Sequence, residues 1–278
     1  MWRKVRFGTW NIKTIAGKEV ELIQEMKRHK PEILGISEVK KKGNGMKKLQ
    51  EGYTLQYSGI GMDSRLRKGI MVVINLDLEI KMSFIQVYTP TEDSNILEKE
   101  GFYVQLQRIV DKEIDNGHHI LIGGDLNARL EQDKRIEHGS MGNHGVGNSF
   151  FSHKEVHKIT YETEGRNARI IIDYFIYHYG TGNNIMDVEV IRGAELATDH
   201  RLLVIDTRSE RPVKPKNKKF EVMKFKEFQN EEKEAVLEEW RRYYEEKFQN
   251  TEVGQEEEGI MFRPYEDVKT SDTEGDVQ

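Results

Sequence analysis

The 278-residue sequence contains no cysteine. Disulfides, thiolate nucleophiles and sulfur-ligated zinc are excluded together, and a reducing intracellular compartment is the expected setting. No apolar run approaches the roughly 20 residues that a membrane helix needs. Met1 to Lys4 leads into a strand-like segment rather than a signal segment, so the expectation is a soluble protein with no membrane partner. No repeat of fixed period is present. Net charge is also slight, at -5, but the sum conceals an asymmetry. Residues 251–278 carry nine acidic and two basic side chains, leaving 41 basic against 39 acidic in the rest. A near-neutral body needs a local patch, rather than a global field, to hold a polyanion.

What is present is enough for a substantial core: 36% hydrophobic residues beside 33% charged ones, in a length that suits one large domain or two small ones. Residues 5–12 read as a strand. The periodicity predicts a helix over 17–29 with Val20, Ile23 and Met26 on one face, stopped by Pro31. A short buried strand over 33–36 ends at Ser37-Glu38, and a lysine-rich loop follows. Strands are expected over 69–75 and 80–88, and a helix over 96–116. The run HHILIGGDLNAR is a buried strand with polar residues beyond its carboxyl end. Gly and Asn crowd 139–149, which reads as a loop. Residues 169–178, 185–191 and 202–205 complete the strands. One domain over 1–210 is therefore expected, then a basic linker over 211–220. A charged helix over 221–250 would follow, with Val236, Trp240, Tyr244 and Phe248 on one face, and then a disordered acidic tail over 251–278.

The chemistry lies in where the polar residues stand. Asn11, Glu38, Asp125 with Asn127, and Asp199 with His200 each end or directly precede an apolar strand. In a sheet protein such positions gather at one edge. Each alone is more often ordinary: Glu38 a solvated carboxylate, Gly124 to Asn127 a tight turn, Thr198 to His200 a capped turn. Their order, and the type of element each one ends, reverse that weighting. Gathered, they form a set of hard oxygen donors with one imidazole and no nucleophilic serine, which suits Mg²⁺ or Mn²⁺. Glu38 would be the main protein ligand. Asp125 would orient and deprotonate a water, and Asn127 would hold that water or a phosphate oxygen. His200, its ring fixed by Asp173, would stabilise charge on a phosphate.

The series TWN (9–11), SEV (37–39), VYTP (87–90), GGDLNAR (123–129), IDYFI (172–176) and TDHRL (198–202) resembles the endonuclease/exonuclease/phosphatase superfamily, with its DNase I-like enzymes, over residues 5–207. GISEVKKKG, FFSHKEVHKITYE and VEVIRGAELATDHRLLV are similar to endonuclease domains of non-LTR retrotransposons. EEWRRYYEEKFQN is similar to the region that precedes their reverse transcriptase. The resemblance implies an α/β fold, a two-sheet β-sandwich flanked by helices in four layers, with the site at one sheet edge. It implies a Mg²⁺-dependent endonuclease that nicks DNA, with no small-molecule cofactor and a nuclear place of action. Asn11, Glu38 and Asp199 would belong to the metal site, Tyr88 would contact the phosphate, and Asp173 would pair with His200. Lys40, Lys41, Lys42, Lys47 and Lys48, with Arg65, Arg67 and Lys68, would meet backbone phosphates. The alternatives are a catalytically silent interaction protein, or a related hydrolase of abasic DNA, RNA or a phosphorylated small molecule. Thr91 stands where the family pattern has Asn. Near Gly147 to Phe150 the chain is shorter than that pattern by about one helix and one strand, a loss expected to leave backbone groups unpaired.

Overall fold

Along β1 (Trp2–Asn11), Val5 and Phe7 face one way, whereas Trp10 and the following Ile12 join a different core on the other side. Both faces of this strand are therefore buried, as the alternation of side chains in a strand requires when a sheet is covered twice. The computed structural model describes residues 2–49, 52–59, 69–75, 82–129, 144–163, 168–178 and 184–210. Arg65, Arg67 and Lys68, and the segments expected as linker, charged helix and acidic tail, lie outside the described residues.

The large sheet has seven strands. It is built from β1, β2 (Ile33–Ser37), β3 (Asn44–Lys48), β4 (Tyr53–Ser58), β5 (Ile70–Asn75), β12 (Ile185–Ile191) and β13 (Leu202–Glu210), in the order β12-β13-β1-β2-β5-β4-β3. A four-stranded sheet faces it, formed by β6 (Met82–Tyr88), β7 (His119–Asp125), β8 (His144–Val146) and β11 (Asp173–His178), in the order β6-β7-β11-β8. β9 (Tyr161–Thr163) and β10 (Ala168–Ile170) form a small hairpin sheet of their own. α1 (Glu19–His29) sets Leu22 and Met26 against Leu34, Ile36 and Val73 on the outer face of the large sheet. α2 (Ile96–Asp115) sets Leu106 and Val110 against Ile85, Ile120 and Ile122 on the outer face of the small one. Val5, Phe7, Ile33, Leu121, Phe175 and Leu203 fill the space between the sheets. This is the expected four-layer α/β sandwich. Among the described residues no helix is long and apolar enough to cross a membrane.

Local chemistry sets the helix ends. Asn95 caps α2 by accepting the Glu98 amide at 2.8 Å. Lys30 ends α1 in a left-handed conformation before Pro31.

Several expected elements differ. Val20 is 72% exposed and belongs to no buried face of α1. Leu22 and Met26, one turn apart, dock the helix, and Val20 stands about 200° around the axis from Leu22. Part of the lysine-rich loop is strand β3, a polar edge strand. β4 and β9 are additional strands, and β13 runs on to Glu210. The expected strand over 169–178 is broken, because Thr160 Oγ1 accepts the amides of both Ile172 and Asp173 at 3.1 Å.

In the expected 139–149 loop, residues 144–146 pair with β11, and α3 (Gly147–Phe150) follows. Glycine makes that pairing possible. A Cβ at Gly145 would sit 2.6 Å from the Tyr177 ring. Beyond β8 the Asn148 side chain takes over the ladder, donating to Asp173 O at 2.9 Å and accepting from Phe175 N at 3.1 Å. The amide thus satisfies strand groups that the shortened chain was expected to leave unpaired.

Candidate functional site

The space between the two sheets changes character along its length. At one end it is aliphatic and aromatic. One step further, Thr9, Gln86 and Ser37 form a buried polar bridge. Gln86 Nε2 donates to Thr9 Oγ1 at 3.0 Å and to Ser37 Oγ at 2.9 Å. Gly35 makes room for this amide, since a Cβ there would lie 1.8 Å from Gln86 Oε1. Two residues further along the same faces come Asn11, Tyr88, Asp125 and Asp173. Period-two alternation carries each strand's inward face from core to chemistry, and parallel pairing of β1 with β2 and of β6 with β7 ends these strands at one rim. β11 begins where β7 ends, which puts Asp173 directly opposite Asp125.

Glu38 reaches this rim by breaking alternation. It adopts φ 55°, and its Oε1 accepts from Asn11 Nδ2 at 2.9 Å and from Tyr88 Oη at 3.0 Å. Asn127, at φ 46°, likewise turns back, so that its amide N–H donates to Asp125 Oδ1 at 2.9 Å and its side chain donates to Thr89 O at 2.8 Å. Left-handed backbone at two non-glycine residues costs of order 1–3 kcal/mol each and clusters at functional sites.

Asn11 is a bridge. Its Nδ2 donates to both Glu38 and Asp125 Oδ2 at 2.9 Å, while its oxygen accepts the Lys13 amide at 3.0 Å. The expected metal ligand therefore presents nitrogen, not oxygen, to the carboxylates, because they are acceptors and demand a donor.

His200 Nδ1 lies 2.9 Å from Asp173 Oδ2, and Nε2 lies 3.8 Å from Asp125 Oδ2 and 4.0 Å from Asp199 Oδ1. Trp10 Nε1 donates to the His200 carbonyl at 3.1 Å, and the Tyr161 ring packs edge-on to the imidazole with centroids 5.0 Å apart. Burial pulls the imidazole toward neutrality, but Asp173, then Asp125 and Asp199, outweigh it and hold the group up to about 9. Burial first, and the Asp173 carboxylate next, push Asp125 up to about 7. Burial, with Glu38 and Asp125 after it, raises the Tyr88 phenol, so it stays a proton donor.

The chemistry of the donors fits a divalent cation. Glu38 Oε2 faces Lys40 at 3.6 Å, and among the described residues Asp173 Oδ1 and Asp199 Oδ1 are buried without a hydrogen-bond partner. Asp125 and Asp173 also stand within 4.8 Å of the His200 ring nitrogens, but a protonated imidazole offers no lone pair to an ion, so the donors are oxygens. Hard oxygen donors suit Mg²⁺ or Mn²⁺.

The rim thus gathers Asn11, Glu38, Tyr88, Asp125, Asn127, Asp173, Asp199 and His200. The expected phosphate-binding lysines are less open than a free loop would make them. Lys40 faces Glu38, Lys41 stands 4.2 Å over the Tyr57 ring, and Lys47 pairs with Glu19 at 2.6 Å. Two residues were missed. Lys13 pairs with Asp199 at 2.7 Å, and Lys18 donates to Ile12 O and Ala197 O, lacing together the two loops that carry Asn11 and His200. Nothing in a lone lysine after a strand marks such a role.

Comparison with known proteins places this geometry. Craniofacial development protein 2 of Bos taurus is 26% identical over 277 residues, covering 83% of this chain and 45% of its own length. That of Tragulus javanicus is 24% identical over 255 residues, covering 75% and 43%. The chain therefore spans less than half the length of these curated relatives. The Xenopus laevis APE2 catalytic domain superposes with a TM-score of 0.55 at 15% identity, over 74% of this chain and 92% of that one. The 3′ phosphatase NExo from Neisseria, bound to a product DNA hairpin, gives 0.57 at 17% identity, over 73% and 99%. Residues 8–200, from the middle of β1 to the buried histidine, match the profile of the Endonuclease/Exonuclease/phosphatase family, and the chain belongs to that family.

Proposed function

We propose that the chain is a divalent-cation-dependent phosphodiesterase that nicks DNA by attack of water on a backbone phosphate, in the manner of non-LTR retrotransposon endonuclease domains. The observation that carries this reading is the meeting of Glu38, Asp125 and His200, from both sheets, at one rim. The family match supports it, as does the likeness to a fold whose solved example holds a DNA product.

Asp125, its carboxyl pushed up toward neutrality by burial and Asp173, is matched to taking a proton from water. His200, positively charged and fixed by Asp173, places a cation where charge grows on the phosphate. Tyr88 donates its proton at the same rim, and Asn127 shapes the turn that aims Asp125. Glu38 and Asp199 would hold Mg²⁺ or Mn²⁺, which when bound neutralises charge on the departing oxygen. Asn11 and Lys40 orient Glu38. A DNA substrate makes the nucleus the natural compartment.

Purified protein is expected to nick supercoiled plasmid in Mg²⁺ and to stop in EDTA, with Glu38→Ala lowering activity at least 100-fold. A folded protein that does not nick, or a Glu38→Ala variant equal to the parent, would falsify the reading. Abasic DNA, RNA and a phosphomonoester belong in the same panel. The names of the curated relatives are compatible with a second reading, a catalytically silent interaction protein. It predicts partner binding that survives Asp125→Ala and His200→Ala.

A further inference from the structure

Beside His200 lies a charge cluster that the proposed reaction does not use. Glu162 of β9 receives three arginines. Arg169 Nε stands 2.9 Å from Oε1, and Arg192 and Arg201 stand 3.2 and 3.3 Å from Oε2. Arg169 comes from β10, directly opposite Glu162 in the hairpin register, Arg192 from the turn just after β12, and Arg201 from the residue after the site histidine. Three elements thus send guanidinium groups to one carboxylate. Their side chains remain 66%, 32% and 28% exposed.

The contrast with the lysines across the site is one of compensation. Lys40 and Lys47 each face a carboxylate, and Lys41 faces an aromatic ring. Among the described residues the three arginines share one carboxylate, three positive charges on a single negative one. Glu162 holds the three guanidinium groups in place, so little rotamer entropy remains to be lost on binding. The cluster also begins where the site ends. The Glu162 amide donates to Asp199 O at 2.8 Å, the Arg201 amide donates to Thr160 O at 2.7 Å, and Tyr161, next to Glu162, packs on His200.

We infer that Arg169, Arg192 and Arg201, gathered on Glu162, form a subsite for a backbone phosphate of the DNA strand next to the one cleaved. The subsite rests on the reading of the chain as a DNA-cutting enzyme and adds to it the side from which the strand is held. Arginine forks match phosphate oxygens, and such contacts give affinity without sequence choice. The strand would run from this cluster, past His200, toward Glu38.

The test measures duplex binding by fluorescence anisotropy in EDTA across a salt series, beside turnover of duplex DNA and of bis(p-nitrophenyl) phosphate in Mg²⁺. Arg169→Ala with Arg192→Ala is expected to weaken duplex binding about tenfold or more at moderate salt. It should also reduce the slope of log K against log salt by about 0.9, the contribution of one neutralised phosphate. KM for duplex rises while kcat for the small diester is unchanged. Arg192→Lys keeps the charge and most of the slope. Unaltered affinity and slope in a folded double variant overturn the subsite and leave the arginines as a structural network. A fall in affinity with no cleavage by the parent keeps the subsite and sinks the reaction instead. Arg169, the most exposed of the three, serves alone if the double variant does not fold, and an unchanged slope in Arg169→Ala then counts against the subsite.

Discussion

Two cross-strand pairs in this protein obey opposite rules. In the large sheet Arg6 and Asp206 face each other in register, opposite charges joined at 2.7 Å by both guanidinium Nε and Nη2, with Lys4 adding a third contact at 2.5 Å. In the small sheet Asp125 and Asp173 face each other in register, like charges in a buried place. Directly opposed like charges weaken a sheet, whereas opposed unlike ones stabilise it. Burial pushes against the charge of Asp206, yet its hydrogen bonds to Arg6 and Lys4 hold its carboxyl below the usual range. At Asp125 burial and a second carboxylate act together, and His200, Asn11 and the Asn127 amide oppose them without prevailing. The compensated pair serves stability. The under-compensated one stores electrostatic work in a position where it tunes a proton acceptor.

The sharpest way to break this contrast is Asp125→Asn. Cleavage should fall about 10³-fold, the scale of a lost general base. The unfolding midpoint should be no lower than the parent's, because a repulsive pair is gone. Lowered stability with retained cleavage would reverse the assignment. Asp206→Leu should do the converse, costing about 2 kcal/mol through a partly buried arginine that loses its main partner. The folded fraction should still nick at the parent rate.

The smallest effect is the dependence of stability on pH, read from urea midpoints in EDTA. Asp206, with its folded value depressed, contributes stability above the usual aspartate range near 3.9 and loses it as pH falls. Asp125 is raised to about 7, so its contribution is complete below that same range and is lost as pH rises through 7. His200, raised to about 9, acts in the same sense between roughly 6.5 and 9. Stability should therefore fall on both sides of a weakly acidic maximum. Asp125→Asn should flatten the decline between about pH 4 and 7, and Asp206→Leu should blunt the acid limb. A profile unmoved by either variant would remove both arguments.

Much of the site was legible because chemistry was placed at strand ends. Asn11, Glu38, Asp125 and His200 each close or open an apolar run, and a run's end is visible in one dimension. The four layers were legible for the same reason, since runs buried on both faces, such as ILGIS and HILIGGD, imply cover on two sides. The rest depended on contacts between distant segments. Thr160 splits an apolar run into two strands through a hydroxyl 12 residues away, and Asn148 stands in for strand backbone. Neither carries a local signature. Val20 shows the same limit on a helix, where several faces are nearly as apolar and docking chooses among them.

By itself, then, the sequence determined which residues bear chemistry and in what order they appear, because residue type and periodicity are local properties of the chain. Tertiary structure alone decided that Asp125 opposes Asp173 and that Asn11 bridges two acids with its nitrogen. It also decided that Lys40, Lys41 and Lys47 each face a partner while, among the described residues, three arginines share Glu162. Register, burial and charge balance are properties of pairs, and the pairs exist only once the two sheets have closed on each other.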